Sequence, residues 1–286
     1  MGEVMVFFLH GLAYAGLLFL VSSGLTLVFG MMNVLNFAHA SFYMLGAYFA
    51  LAIAHYTHQF WLTLLLAPVL LMVLGALVER YLLRKVHVLG HVHELLLTFG
   101  LAYIIQEGVK WIWGNNPQAV TVTGFLASSL KLGGIVYPVY RLFIFALSAV
   151  LGASMALVIY KTRIGIIVRA AVNDAAMVNA LGINVPYVFM GLFAVGAGLS
   201  GLAGATAGPL LGVFPGMAGA ILVDAFVVIV VGGMGSLGGA VVASLIIGQL
   251  QSFGVLLFPQ FSLALIYMLM ALVLVLKPEG LFGEKS

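Results

Sequence analysis

Residues 4–78 run for 75 positions without one aspartate, glutamate, lysine or arginine. Ordinary soluble domains carry about 25% charged residues, because a water-facing surface has to be solvated. A run of this length therefore has to lie in lipid. The rest of the chain extends the pattern, with 64% of its 286 residues hydrophobic and only 7% charged. A helix needs roughly 20 apolar residues to cross about 30 Å of hydrocarbon. Apolar stretches on this scale occupy residues 4–29, 35–54, 60–78, 95–113, 142–160, 187–207, 241–258 and 262–276, and a shorter one covers 218–231. These stretches predict an all-α polytopic membrane protein with eight or nine transmembrane helices, some of them broken or re-entrant.

No interval between these stretches is long and polar enough to fold on its own, so residues 1–286 are expected to form one membrane domain. The apolar start lacks the basic n-region of a cleavable signal and continues past signal length, and it is expected to be retained. The chain has no cysteine. That excludes disulfides, zinc–thiolate sites and iron–sulfur clusters. A net charge of +3 does not point to nucleic acid, because the basic residues sit between spans. Arg80, Arg84 and Lys85 form one group, Lys161, Arg163 and Arg169 a second, and Lys277 and Lys285 a third. The positive-inside rule assigns these three groups to the cytoplasm. Lys110, Lys131 and Arg141 are left near the other side. Residues 114–140 mix turn residues with short β-prone runs and are expected to be an external loop. Residues 161–186 are expected to hold a short helix on the inner surface, ended by Gly182 and Pro186. The side of the N-terminus depends on whether the first charge-free region crosses two or three times.

Several motifs of soluble chemistry fail on inspection. "GGMGSLGG" contains Gly233-x-Gly235-x-x-Gly238 after an apolar run, yet no acidic residue follows until Glu279 and an apolar span replaces the crossover helix. It reads as a tight turn, not as a dinucleotide site. No phosphate-binding G-x-x-x-x-G-K-[ST] occurs, so any ATP chemistry belongs to partners. His87, His91, His93 and Glu94 lack the second histidine of H-E-x-x-H and are interrupted by Gly90, and they are expected to be solvated loop residues without a metal. No nucleophile, base and acid share an elbow. No catalytic residue is expected.

The polar residues left inside the apolar stretches are more informative, since a polar group facing lipid is costly. In "FGMMNVLNFAHASFY", Asn33, Asn36 and His39 recur every three residues, a spacing that lines one side of a helix. One reading is hydrogen bonding between helices where a helix breaks. The other is a discontinuous helix whose end borders a solute path. Asp224 has no charged partner within four residues, and lines a polar path, sits near an interface, or bonds another helix. Glu107 and Lys110, three apart, can pair. Gly196, Ser200, Gly204 and Gly208, each four apart, form a row that lets helices approach closely, with Ala197, Gly201 and Ala205 beside it. Within 161–186 the apolar positions Ile167, Ala171, Met177, Ala180 and Leu181 roughly repeat at helical spacing, opposite Arg169, Asn173 and Asp174.

"GLTLVFGMMNVLNFAHASFYMLGAY", "ELLLTFGLAYIIQE", "TRIGIIVRAAVNDAAMVNALGINV", "VVIVVGGMGSLGGAVVASLIIG" and "KPEGLFG" follow one another in this order. Together they resemble the LivH-type permease subunits of high-affinity branched-chain amino acid ABC importers, over nearly the whole chain. The resemblance implies a bacterial inner-membrane subunit paired with a LivM-type second permease. Two ATP-binding cassette subunits, which use ATP and Mg, would bind from the cytoplasm, and a periplasmic solute-binding protein would deliver substrate. Membrane lipid surrounds such a subunit, and it binds no cofactor of its own. The resemblance makes 161–186 a coupling loop, with Arg169, Ala171, Asp174 and Gly182 as candidate transmission residues. Asn33, Asn36, His39 and Asp224 become candidates for the translocation path. Where this family often has a basic residue before "AF", the chain has Asp224.

The expected solutes are leucine, isoleucine and valine. Relatives of the same family move urea, short amides or small carboxylates instead. A rival of another class is a stand-alone secondary transporter or channel that uses Asp224 or His39 as a proton-linked group, and a weaker one is a scaffold that transports nothing.

Overall fold

The computed structural model describes residues 2–32, 36–132 and 135–283. These residues are almost entirely α-helical. The helices are α1 (Gly2–Met32), α2 (Ala38–Thr57), α3 (Phe60–Val78), α4 (Arg84–His87), α5 (His91–Trp113), α6 (Val139–Lys161), α7 (Arg163–Asn173), α8 (Ala175–Ala180), α9 (Val185–Leu211), α10 (Met217–Gly232), α11 (Leu237–Leu257) and α12 (Ser262–Leu276). A π-helical turn, Glu79–Leu83, joins α3 to α4. Between α5 and α6 lies an antiparallel hairpin, β1 (Ser129–Leu132) with β2 (Ile135–Pro138), in which Leu130 faces Tyr137.

Six helices are long and apolar enough to cross a membrane: α1, α3 with its continuation to His87, α5, α6, α9 and α11. The protein is a multi-pass membrane protein. The remaining expected spans differ for separate reasons. The helices α10 and α12 have 16 and 15 residues, which is short of a full crossing at 1.5 Å per residue. Although α2 has 20 residues, His39, Tyr43, Tyr48 and His55 dilute its apolar character, and it is largely enclosed by protein.

Glycines set which helices touch. A Cβ on Gly24 of α1 would lie 2.6 Å from the Gly196 carbonyl oxygen of α9, and a Cβ on Gly196 would lie 3.0 Å from the Gly24 carbonyl oxygen. The two backbones therefore cross directly at this pair. Gly11 abuts Gln249 while Gly30 abuts Gly235, so α1 runs antiparallel to α11. Gly75 abuts Ala197 and Gly201 abuts Leu71, so α9 runs antiparallel to α3. This exchange is general: α2 packs on α3 and α5 as α10 packs on α11 and α12. The sets α1–α2–α3–α5 and α9–α10–α11–α12 thus follow one pairing scheme in opposite orientations. Inverted sets of this kind put equivalent helix breaks near the middle of a membrane domain. Here α1 ends at Met32 and α2 starts at Ala38, while residues 212–216 separate α9 from α10, and each following helix is shorter than the one before it.

The start of α1 lies beside the hairpin. His10 Nδ1 accepts from Arg141 at 2.7 Å and faces the Tyr137 hydroxyl at 3.1 Å. Gln118 pairs with Val213, which places the far end of α9 on this same hairpin side. The opposite side carries the π turn, α4, α7 and α8, together with the first two basic groups.

Candidate functional site

Asn36, His39 and Ser41 are all buried, with 3%, 1% and 3% of their surface exposed. They do not line one continuous helix. α1 ends at Met32 and α2 begins at Ala38, so Asn36 precedes α2 and His39 lies in its first turn; Asn33 falls outside the described residues. Asn36 Oδ1 accepts from the Ala38 amide at 3.0 Å, and its backbone carbonyl accepts from the His39 amide at 3.2 Å. That pattern starts a helix inside the protein, where water cannot satisfy the free amides. His39 Nε2 donates to the Val21 carbonyl of α1 at 3.0 Å, and Ser200 of α9 donates to the His39 carbonyl at 2.7 Å. His39 therefore ties three helices together at the Gly24–Gly196 crossing. Asn36 Nδ2 and His39 Nδ1 are buried and find no hydrogen-bond partner among the described residues.

Asp224 is partly buried on α10 and accepts from the Tyr14 hydroxyl of α1 at 2.7 Å. Of the three readings open from sequence, the bond to another helix is the one observed. The structure does not bring Asp224 to His39, which bonds α1 and α9 on its own.

The row of small residues on α9 meets three partners. Gly196 meets α1, Gly204 lies against the Tyr43 carbonyl, and Gly208 packs beside Val120 and Val213. Glu107 and Lys110 pair at 2.6 Å.

Residues 161–186 differ from the single short helix expected. Asp174 interrupts the segment with an extended φ of −150° and caps α8 by accepting from the Met177 amide at 2.9 Å. The buried positions are Gly165, Val168, Ala171, Val178 and Val185, whereas Met177 and Leu181 are exposed at 58% and 73%. The break at Asp174 resets the helical phase, which a continuous 3.6-residue period could not foresee. Arg169 Nη1 donates to the Ile159 carbonyl at 2.8 Å and sits over the Tyr160 ring at 5.6 Å, holding α7 to the end of α6. Gly182 adopts φ +86°, a conformation that glycine reaches without strain. It ends the segment as expected, but Pro186 belongs to the first turn of α9.

Sequence reasoning missed a polar junction on this side. Arg84 donates to both carboxylate oxygens of Glu79, at 3.1 and 2.7 Å, and to the Pro186 carbonyl at 2.8 Å. Glu94, 2% exposed, accepts from or faces His87 and His91, one on each oxygen. His87 and His91 are exposed, as expected, yet both converge on a buried carboxylate. No group of three or more ligands able to hold a metal ion occurs among the described residues. A cavity of about 250 Å³ joins Glu79, Arg84, His87 and Glu94 to Asn179, Val185 and Pro186. The missed signal was the five-residue spacing of Glu79 and Arg84, which does not align on an α-helix.

Apolar crossing helices in inverted sets, with a helical segment on one side, define a multi-pass membrane protein. Residues 7–275 match the family described as "Branched-chain amino acid transport system / permease component", and the chain belongs to that family. It is 28% identical to the high-affinity branched-chain amino acid transport system permease protein BraD of Pseudomonas aeruginosa, over 96% of this chain and 94% of BraD. It is 27% identical to LivH of Escherichia coli, over 99% of this chain and 98% of LivH. A probable LivH of Methanocaldococcus jannaschii is 26% identical over 88% of this chain and 81% of its own length. No solved structure matches.

Proposed function

We propose that this chain is one of two permeases in an ATP-driven importer of leucine, isoleucine and valine across the bacterial inner membrane. The observation that carries the reading is the family match over residues 7–275. The names of the relatives supply the solute class, since BraD and LivH are both described as high-affinity branched-chain amino acid permeases. The remaining assembly consists of a LivM-type permease, two ATP-binding cassette subunits that use ATP and Mg, and a periplasmic binding protein. This chain supplies no phosphate-binding loop of its own.

In this reading α2, α10 and α12 complete a nine-span topology with the hairpin side outside and α7–α8 in the cytoplasm. Residues 114–140 meet the binding protein, and 161–186 receive the motion of the ATPases. The amphipathic α7, anchored by Arg169 and Ala171, moves with α6, while the Asp174 break and Gly182 let α8 swing relative to α9. The solute passes on the side of the domain where α2 and α10 meet, with Asn36, His39 and the Tyr14–Asp224 pair governing the shape of that wall. Inverted sets support alternating access, because rocking one set against the other exchanges the open side.

Proteoliposomes test the proposal. With all partners and ATP inside, labelled leucine should accumulate; with this chain alone, a leucine or proton gradient should drive none. Gradient-driven flux through the isolated chain would replace the importer with a stand-alone carrier.

A further inference from the structure

The π-helical turn at the end of α3 has a geometric consequence. On an α-helix, residues five apart point in different directions, and only i,i+3 and i,i+4 neighbours meet. The extra residue of the turn Glu79–Leu83 rotates Arg84 back over Glu79 and allows a two-point ion pair across five positions. Glu79 is 3% exposed, so its carboxylate depends on that partner. π turns inside α-helices concentrate at functional positions. This one aims a guanidinium at another element.

Arg84 also donates to the Pro186 carbonyl, 102 residues away, and lies 6.0 Å from the centre of the Tyr187 ring. Pro186 and Tyr187 open α9, directly after Gly182 releases the α7–α8 segment. The planar fork therefore holds two points at once, the end of α3 and the start of α9. Behind it Glu94, with His87 and His91, holds the start of α5 to α4. The α3–α9 contact continues away from this junction, where Ala197 packs on Gly75 and the side chains of Met72 and Leu71 pack on Gly198 and Gly201.

We propose that Arg84 is a positioning residue that locks α3 to α9 at the exit of the coupling segment, so that movement of α7–α8 drives both helices as one body. The inference rests on the reading of 161–186 as the segment that receives the ATPase motion. One nitrogen, Nη2, donates to both Glu79 and Pro186; lysine is shorter and ends near the place of the guanidinium carbon, so its ammonium can pair with Glu79 but falls short of the Pro186 carbonyl. Arg84→Lys thus keeps the charge and removes the bridge.

The experiment uses the full reconstituted importer and measures leucine transported per ATP hydrolysed. Arg84→Lys should lower that ratio about 3- to 30-fold, the range of coupling changes for residues linking distant sites. ATP hydrolysis and membrane abundance should persist. Gly182→Pro, which disrupts the coupling segment itself, serves as reference. If Arg84→Lys keeps the wild-type ratio while Gly182→Pro collapses it, the strut is refuted and the coupling reading survives. If Gly182→Pro also keeps the ratio, the coupling reading fails and the strut fails with it. A second measurement does not depend on transport. The chain has no cysteine, so spin labels at Leu77→Cys and Val195→Cys, both exposed and clear of the Arg84 contacts, report the α3–α9 distance. That distance should stay narrow and constant on ATP binding with Arg84 present, and broaden in Arg84→Lys. A distribution unchanged by Arg84→Lys overturns the proposal.

Discussion

Single residues in this protein are constrained mostly by distance to neighbouring backbone. Gly204 lies so close to the Tyr43 carbonyl that a side chain has nowhere to go, whereas Gly219 has open space around it. Gly204→Val should abolish accumulation of folded protein in the membrane, because overpacking costs about 1–3 kcal/mol even where neighbours can yield, and a backbone carbonyl cannot. Gly219→Ala should leave thermal unfolding in detergent unchanged. Hydroxyl placement is a second constraint. Tyr14→Phe removes the only protein donor described for Asp224 and should lower stability by about 1 kcal/mol, read as a fall in melting temperature. An unaltered melting temperature would mean that water replaces Tyr14 without loss.

Among elements, α8 shows how a short helix depends on its ends. Six residues are too few to be stable by propensity, so the Asp174 cap and the Gly182 exit define it. Asp174→Ala should cost about 0.5–2 kcal/mol locally and raise hydrogen exchange over residues 175–180 before exchange rises elsewhere. Uniform exchange across α7 and α8 in the variant would argue that packing of Val178, not the cap, holds the helix. The existence of this segment and its glycine exit were legible from turn chemistry. Its division at Asp174 was not, because a capping aspartate and a mid-helix aspartate look alike until the backbone is known. The same applies at residues 33–37. Asn36 has the side chain of a helix starter, but in an apolar stretch its spacing to His39 equally fits a continuous helix.

For the whole molecule, orientation follows from which ends meet. His10 touches Arg141 and Tyr137, so the N-terminal end of α1 shares a side with the hairpin, and three helices separate it from the first basic group. In the proposed nine-span topology this shared side is the outer one. Cysteines at Phe125 and Met177, both well exposed, should react with an impermeant maleimide from opposite faces of sealed vesicles. Labelling of both from one face would dismantle the topology. His39→Ala, assayed in the complete proposed importer at equal abundance, should reduce the maximal uptake rate more than the apparent affinity, because His39 joins three helices and, under that proposal, initial capture falls to a binding protein. Unchanged kinetics would return His39 to a role confined to helix packing.

The sequence by itself determined the lipid-embedded class, the positions of most crossing helices, the retained loops and the family blocks, because hydrophobic length and turn residues act locally along the chain. Only the tertiary structure decided that Asp224 bonds Tyr14, that His87 and His91 share Glu94, and that Arg84 reaches Pro186. Those partners lie up to 210 residues apart, and their meeting depends on glycine contacts and a π turn that no one-dimensional period encodes.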